Sequence, residues 1–251
     1  MIRDLGPYVP KRSYKLNPPI LAMLLNAVHD RHEGRVFVLQ VGAGNGETGL
    51  PLLSRFRDDG WSGLLIEPLP QNFAQLEALY HDSDRVAILN LGISDVSANL
   101  QIHSLTPEAE ARNRRGPRGR ASLHRDRIAR PGVADEDVQE AEVPVLRMDI
   151  VLEELGIDTV QLLVINAGGH EEQVLAGCDL AALDPSLIFL HTAPDSPAEA
   201  NLIATLTAAG FIPFLVAGWL VGLAPGRLAV PLEELLTFFN RGIGARQEDE
   251  E

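Results

Sequence analysis

Apolar positions fall into short continuous runs separated by stretches of helical spacing, a pattern that predicts buried strands alternating with amphipathic helices. The run 36–41 predicts a parallel strand that ends in a glycine loop, Gly42-Ala43-Gly44-Asn45-Gly46. A helix is expected over 50–57, with Pro51 tolerable in its first turn. A strand over 63–67 and a helix over 71–80 follow, the helix carrying Phe73, Leu76 and Leu79 on one side. A third strand is expected over 86–89. Ahead of all these, Asn17-Pro18-Pro19 followed by Ile20, Met23, Leu24 and Ala27 predicts a helix with Asn17 as its N-cap. That helix would pack beside the first strand and is a candidate cover for a ligand cleft. Later in the chain, strands are expected over 143–146, 160–165 and 186–191, helices over 150–155, 172–176 and 197–210, and a hairpin over 211–223. Such alternation builds a parallel sheet with right-handed crossovers.

Between these two blocks the pattern breaks. Residues 98–103 alternate like a short strand, but 106–142 keep no apolar period. The break contains Arg112-Asn-Arg-Arg-Gly-Pro-Arg-Gly-Arg-Ala-Ser-Leu-His-Arg-Asp-Arg-Ile-Ala-Arg130, a basic stretch in an acidic protein. It reads either as a disordered surface loop or as a lid, since it follows the third strand on the side where α/β sheets bind ligands. As a lid, its arginines would suit a substrate carrying a carboxylate or phosphate. The chain is therefore expected to be one domain over 1–251, with a helical extension at 1–34, a basic insertion at 106–142 and a disordered acidic tail at 247–251.

Composition narrows the picture. A chain of 251 residues can bury a substantial single core, and 45% hydrophobic with 5% aromatic residues suits an aliphatic α/β interior. The net charge of −14 argues against general nucleic-acid binding through phosphate neutralisation. A single cysteine, Cys178, excludes an internal disulfide and a cysteine-based zinc site. No stretch approaches the roughly twenty apolar residues that span a bilayer. The N-terminus also lacks the apolar region of a signal peptide, so a cytoplasmic location is expected. The oligomeric state is open.

The glycine loop and the acid that closes the second strand carry the chemistry. Glycines let a backbone approach a ligand closely, and an acid about twenty residues further on, Glu67, stands at the spacing that engages a ribose diol in doubly wound folds. Together they point to a nucleoside-containing cofactor. A dinucleotide fingerprint needs Gly-x-Gly-x-x-Gly, but Glu47 falls where its third glycine belongs. A carboxylate there would compete with a pyrophosphate for the amides of the helix start. S-adenosylmethionine (SAM), which has a cationic sulfonium and no phosphate, is favoured over NAD.

The runs Leu39-Gln40-Val41-Gly42-Ala43-Gly44-Asn45-Gly46 and Gly60-Trp61-Ser62-Gly63-Leu64-Leu65-Ile66-Glu67-Pro68-Leu69-Pro70-Gln71-Asn72-Phe73 resemble two motifs of the FkbM-type SAM-dependent methyltransferases. With Leu162-Leu163-Val164-Ile165, they extend the resemblance densely over 36–94 and more loosely over 143–190. The resemblance implies a Rossmann-like class I methyltransferase fold: a seven-stranded, mostly parallel sheet with helices on both faces. It also implies methyl transfer to a hydroxyl oxygen of a small or carrier-bound metabolite, such as a sugar or polyketide in natural product biosynthesis. Gly42, Ala43, Gly44, Asn45 and Gly46 would line the amino-acid end of SAM. Glu67 and Pro68 would hold its ribose, Ser94 and Asp95 would lie near its adenine, and Gln40 stands where many methyltransferases carry an acid.

The fourth-strand motif departs from the family pattern Ile-Asp-x-Glu-Gly-x-Glu, reading Ile165-Asn166-Ala167-Gly168-Gly169-His170-Glu171. Asn166 replaces the aspartate and Gly168 the first glutamate. An amide is neutral and non-basic, and one remaining carboxylate makes a weak metal site, so no metal is assigned. His170 is then the leading candidate for a general base, by its position and by the reference pKa of imidazole. Asn166 would orient the substrate hydroxyl. Glu171 is either catalytic or a charge favouring a helix N-terminus. His191 at the end of the next strand and His124 in the insertion are secondary candidates. The loss of two acids also motivates a second reading, a family member that binds SAM without methylating. A nicotinamide oxidoreductase is the third.

Overall fold

β1 (Phe37–Val41) lies at the centre of a seven-stranded sheet, between β2 (Ser62–Ile66) and β8 (Leu162–Ile165), both parallel to it. The computed structural model describes residues 17–47, 49–112, 119–193, 195–216 and 218–228. β3 (Val86–Leu89) extends the sheet beyond β2, and β9 (Leu187–His191) extends it beyond β8, both again parallel. β10 (Ile212–Val216) and β11 (Trp219–Leu223) form the expected hairpin, whose second strand inserts antiparallel against β9. The order is thus β3-β2-β1-β8-β9-β11-β10, six strands running one way and β11 the other. Chain order reverses between β1 and β8, so a crevice opens at their C-terminal ends.

The sheet is buried on both faces, which is why its central strands read as unbroken apolar runs rather than alternating ones. Val38, Leu65, Leu162 and Phe189 belong to one core layer, and Leu39, Leu64, Leu163 and Ile188 to the other. The first layer is covered by α1 (Asn17–Arg31), α2 (Leu52–Asp58) and α3 (Pro70–Tyr80). The second is covered by α5 (Met148–Leu155), α6 (Glu171–Ala176), α7 (Leu180–Leu183) and α8 (Pro197–Ala208). In α1, Leu24, Leu25 and Val28 are fully buried, each contributing about 2 kcal/mol of hydrophobic stabilisation. Trp61 Nε1 donates to His29 Nδ1 at 3.0 Å and ties that helix to the start of β2. No described α1 residue reaches the crevice, so this helix is a core element and not the cover the sequence suggested. The side chain of Asn17, the expected N-cap, lies outside the described residues, as does the 247–251 tail.

The break in the pattern is a second, small sheet. β4 (Gly92–Ser94) pairs parallel with β7 (Val138–Arg147), which pairs antiparallel with β5 (Ala98–Leu105), and β5 in turn pairs with β6 (Ala121–Ser122). Leu69, Ile102, Val143 and Val145 form its own core. The insertion between β5 and β7 therefore holds α4 (Pro107–Arg112), β6 and two short 3₁₀ turns, at Arg125–Arg127 and Asp135–Asp137. Residues 113–118 of the basic stretch lie outside the described residues. No helix among the described residues is long and apolar enough to cross a membrane.

Candidate active site

A cavity of about 800 Å³ opens at the C-terminal ends of β1, β2, β8 and β9, and the described part of the insertion forms its opposite wall. Pockets of this size hold cofactor-sized ligands. Its floor is the glycine loop. Gly42 has φ +75°, and a side chain there would place Cβ 2.0 Å from the Asn166 carbonyl oxygen, so only glycine lets the β1 and β8 loops meet. The Gly42 and Ala43 amides donate to the Ile66 carbonyl at 2.9 and 3.0 Å, fastening the loop to β2 as well. Gly42, Ala43 and Gly44 line the cavity, whereas Gln40, Asn45 and Gly46 are not part of its wall. Gly46 abuts Leu76, Leu79 and Tyr80 of α3 and so serves packing.

Glu67 and Pro68, at the end of β2, do reach the cavity. The Glu67 carboxylate is buried and accepts from the Gly44 amide at 2.8 Å through Oε2. Its Oε1 accepts from the Leu69 amide at 3.0 Å and from Asn72 Nδ2 at 3.2 Å. Burial raises its pKa, against the pull of those three hydrogen bonds. A carboxylate has about four acceptor positions, so these three bonds leave one on Oε2. Asn72 Nδ2 also donates to the Gly119 carbonyl at 2.9 Å, linking this acid to the insertion. Asn72 was not singled out as functional from the sequence. Its only signal is its place in the first turn of α3, five residues after Glu67.

The fourth-strand loop explains its own departure from the family pattern. Gly168 has φ +65°, and a Cβ there would lie 2.3 Å from the Ala121 carbonyl oxygen of β6. Ser122 Oγ donates to the Gly168 carbonyl at 2.7 Å. The insertion thus occupies the space in which a glutamate side chain at this position would start. Asn166 is exposed to the cavity, and its carboxamide makes no hydrogen bond among the described residues. Glu171, buried, accepts through Oε1 from the amides of Ala167 at 2.9 Å and Gly169 at 3.2 Å. Burial raises its pKa, and the arrangement marks Glu171 as the clamp of this loop.

His170 lies between these parts. Ser94 Oγ donates to Asp95 Oδ1 at 3.0 Å and so can only accept from His170 Nε2, 2.9 Å away. With that donation Nε2 carries the ring proton, and Nδ1, the other ring nitrogen, lies 3.5 Å from His124 Nε2 of the insertion. Burial lowers the His170 pKa below the ordinary histidine value, and the neighbouring His124 adds to this; Asp95 opposes both. Ser94 and Asp95 stand behind His170, outside the cavity wall that their neighbours Gly92 and Ile93 line. His191 edges the same cavity, its ring against Trp219 at 5.5 Å, with its pKa lowered by burial and then by Arg120. Among the described residues, no group of three or more His, Cys, Asp and Glu is arranged to hold a metal ion.

Cys178 lies away from this site. Burial, with Asp179 and Asp149 nearby, pushes its thiol up to about 12. It is expected to resist thiol-modifying reagents at pH 8 until the protein is unfolded; rapid labelling of the native protein would contradict this.

A sheet of this order, with one reversed strand and a crevice beside β1, defines the class I methyltransferases. The chain belongs to the methyltransferase FkbM domain family, whose profile matches residues 40–213, well over half its length. Among solved structures it is similar to a methyltransferase FkbM from Methylobacillus flagellatus KT, with a TM-score of 0.51 and 13% identity. That match covers 76% of this chain and 44% of the other, so the chain spans less than half of that protein's length. It is also similar to the METTL16 methyltransferase domain, with a TM-score of 0.44, 12% identity and coverage of 81% and 68%. A SAM-dependent methyltransferase from Geobacter sulfurreducens, in complex with S-adenosyl-L-homocysteine, matches with a TM-score of 0.35, 14% identity and coverage of 82% and 68%. No curated protein matches the sequence.

Proposed function

We propose that this chain is a SAM-dependent O-methyltransferase acting on a hydroxyl of a small or carrier-bound metabolite, with His170 as general base. The observation that carries the proposal is the place of His170 in the cavity wall with Nε2 2.9 Å from Ser94 Oγ, a contact that, with Nε2 protonated, leaves Nδ1 as the basic nitrogen. SAM supplies an electrophilic methyl group on a sulfonium. Glu67 would accept a hydrogen bond from its ribose through the spare position on Oε2, and the backbone of Gly42–Gly44 would receive the methionine end.

An acceptor hydroxyl would take the place of His124 before Nδ1, with the Asn166 carboxamide holding it in line. With the sulfonium methyl transferred to the hydroxyl oxygen, Nδ1 would take up the hydroxyl proton. The resulting imidazolium is held by the Ser94 hydroxyl, itself bonded to Asp95. Alignment and proton removal are the two contributions such a site can make.

Calorimetry with SAM, S-adenosylhomocysteine and NADH tests the cofactor assignment. Binding of the first two without the third is expected, and NADH binding without SAM binding would overturn it. A methyl-release assay over hydroxylated metabolites tests the reaction. Inactivity alongside tight SAM binding, with genuine pathway substrates supplied, would favour the non-methylating reading that the missing acids at Asn166 and Gly168 suggest.

A further inference from the structure

Three arginines of the insertion, Arg120, Arg127 and Arg130, line the cavity, and among the described residues none of them is in an ion pair. Their neighbours differ. Arg112 pairs with Asp137, and Arg125 with Asp135, both away from the cavity wall. Among the described residues, Arg112 and Arg125 are thus neutralised while the three arginines of the cavity wall are not. Arg127 lies beside the fourth-strand loop, where a Cβ on Gly169 would come within 3.1 Å of its Nε. Glu171, on which Arg127 acts electrostatically, has Oε1 committed to the loop amides. Arg120 is close enough to Arg130 and Arg127 for both to depress its pKa, and it acts on His191 across the cavity.

Collecting like charges in a partly desolvated pocket is unfavourable unless a ligand brings the counter-charge. Guanidinium forks match oxyanions, and three of them offer more donors than the two oxygens of a carboxylate can take. The whole chain, at net charge −14, repels anions, so a local cationic wall is what would admit one.

We propose that Arg120, Arg127 and Arg130 form a phosphoryl-binding subsite, so that the methyl acceptor is a hydroxylated molecule bearing a phosphate group. This rests on the methyltransferase reading of the same cavity. The test is calorimetric titration of the full chain with inorganic phosphate, with and without saturating S-adenosylhomocysteine, and with sulfate and acetate in parallel. Phosphate is expected to bind in both conditions, more tightly than acetate. The double variant R120Q/R130Q should weaken phosphate binding at least tenfold while leaving S-adenosylhomocysteine affinity unchanged. R125Q, which removes an outer, paired arginine, should have no effect on either ligand. Melting temperatures close to the parent's would show that the variants fold.

Phosphate binding that is absent, that is unaffected in R120Q/R130Q, or that is matched by acetate would overturn the subsite. So would exclusion of phosphate by S-adenosylhomocysteine together with loss of its binding in the double variant, because the arginines would then serve the cofactor's carboxylate. Failure of S-adenosylhomocysteine to bind the parent chain would instead remove the methyltransferase reading, with the phosphate titration still read separately.

Discussion

Replacing His170 with alanine is expected to lower kcat by about 10²–10⁴, the range a positioned general base contributes, while SAM affinity stays nearly unchanged. The expectation follows from geometry. Nε2 is taken by Ser94 and Nδ1 is the only basic nitrogen left on the ring, so removing the ring removes the proton acceptor but no group that touches Glu67 or the glycine loop. His170→Gln should behave like alanine in rate while keeping a hydrogen bond to Ser94, which separates lost basicity from lost packing. The pH profile gives a second check. Burial and His124 lower the His170 pKa from its ordinary value of 6.5, so the neutral, competent form persists at pH 7 and kcat/KM should fall only as pH drops below 6.5. His124 and Asp95 act on this ring, and His191 and Arg120 line the same cavity, so the limb belongs to the cluster, and its disappearance in His170→Gln is what assigns it. An unchanged rate in both variants would remove His170 from the mechanism.

The parts of this protein that could be read from its sequence are those whose cause is local. β1, β2, β8 and β9 are continuous apolar runs because both faces of the sheet are covered, and their ends were legible to within two residues. Glu67 was legible because an acid after an apolar run has few structural reasons to be there. The small sheet was legible only in pieces. β7 begins at Val138, five residues earlier than expected, because its first half, Val-Gln-Glu-Ala-Glu, is polar and is held by pairing with β5 across more than thirty residues. The same separation hid the support of the base, since Ser94 and His170 are 76 residues apart and neither carries a sign of the other. Glycine spacing alone does not distinguish a ligand from a helix as the close neighbour, and at Gly46 the close neighbour on the Cβ side is α3. The basic insertion was recognised by charge, but which arginines turn inward is fixed by the staples at Asn72–Gly119 and Ser122–Gly168.

Restoring the family's two acids is expected to give opposite results. Gly168→Glu puts a side chain at φ +65° and a Cβ 2.3 Å from the Ala121 carbonyl, backbone that cannot yield without breaking the 2.7 Å bond from Ser122. Strain, clash and a lost hydrogen bond together should cost about 3–5 kcal/mol. At roughly 2–4 °C per kcal/mol for a chain of this size, the melting temperature should fall by about 10 °C or more. The insertion wall should open with it, so phosphate binding would weaken even though no arginine is changed. A Gly168→Glu protein as stable as its parent would show that β6 does not hold this loop. Asn166→Asp, by contrast, alters an exposed carboxamide without hydrogen-bond partners among the described residues and should change stability by no more than about 0.5 kcal/mol. Its new negative charge, in the same loop as His170, favours the protonated ring, so the acid limb of kcat/KM should move to higher pH. Gained dependence on a divalent cation in that variant would reveal a latent metal site. The glutamate is therefore excluded by the insertion itself, whereas the aspartate is absent from a position that would still accept it.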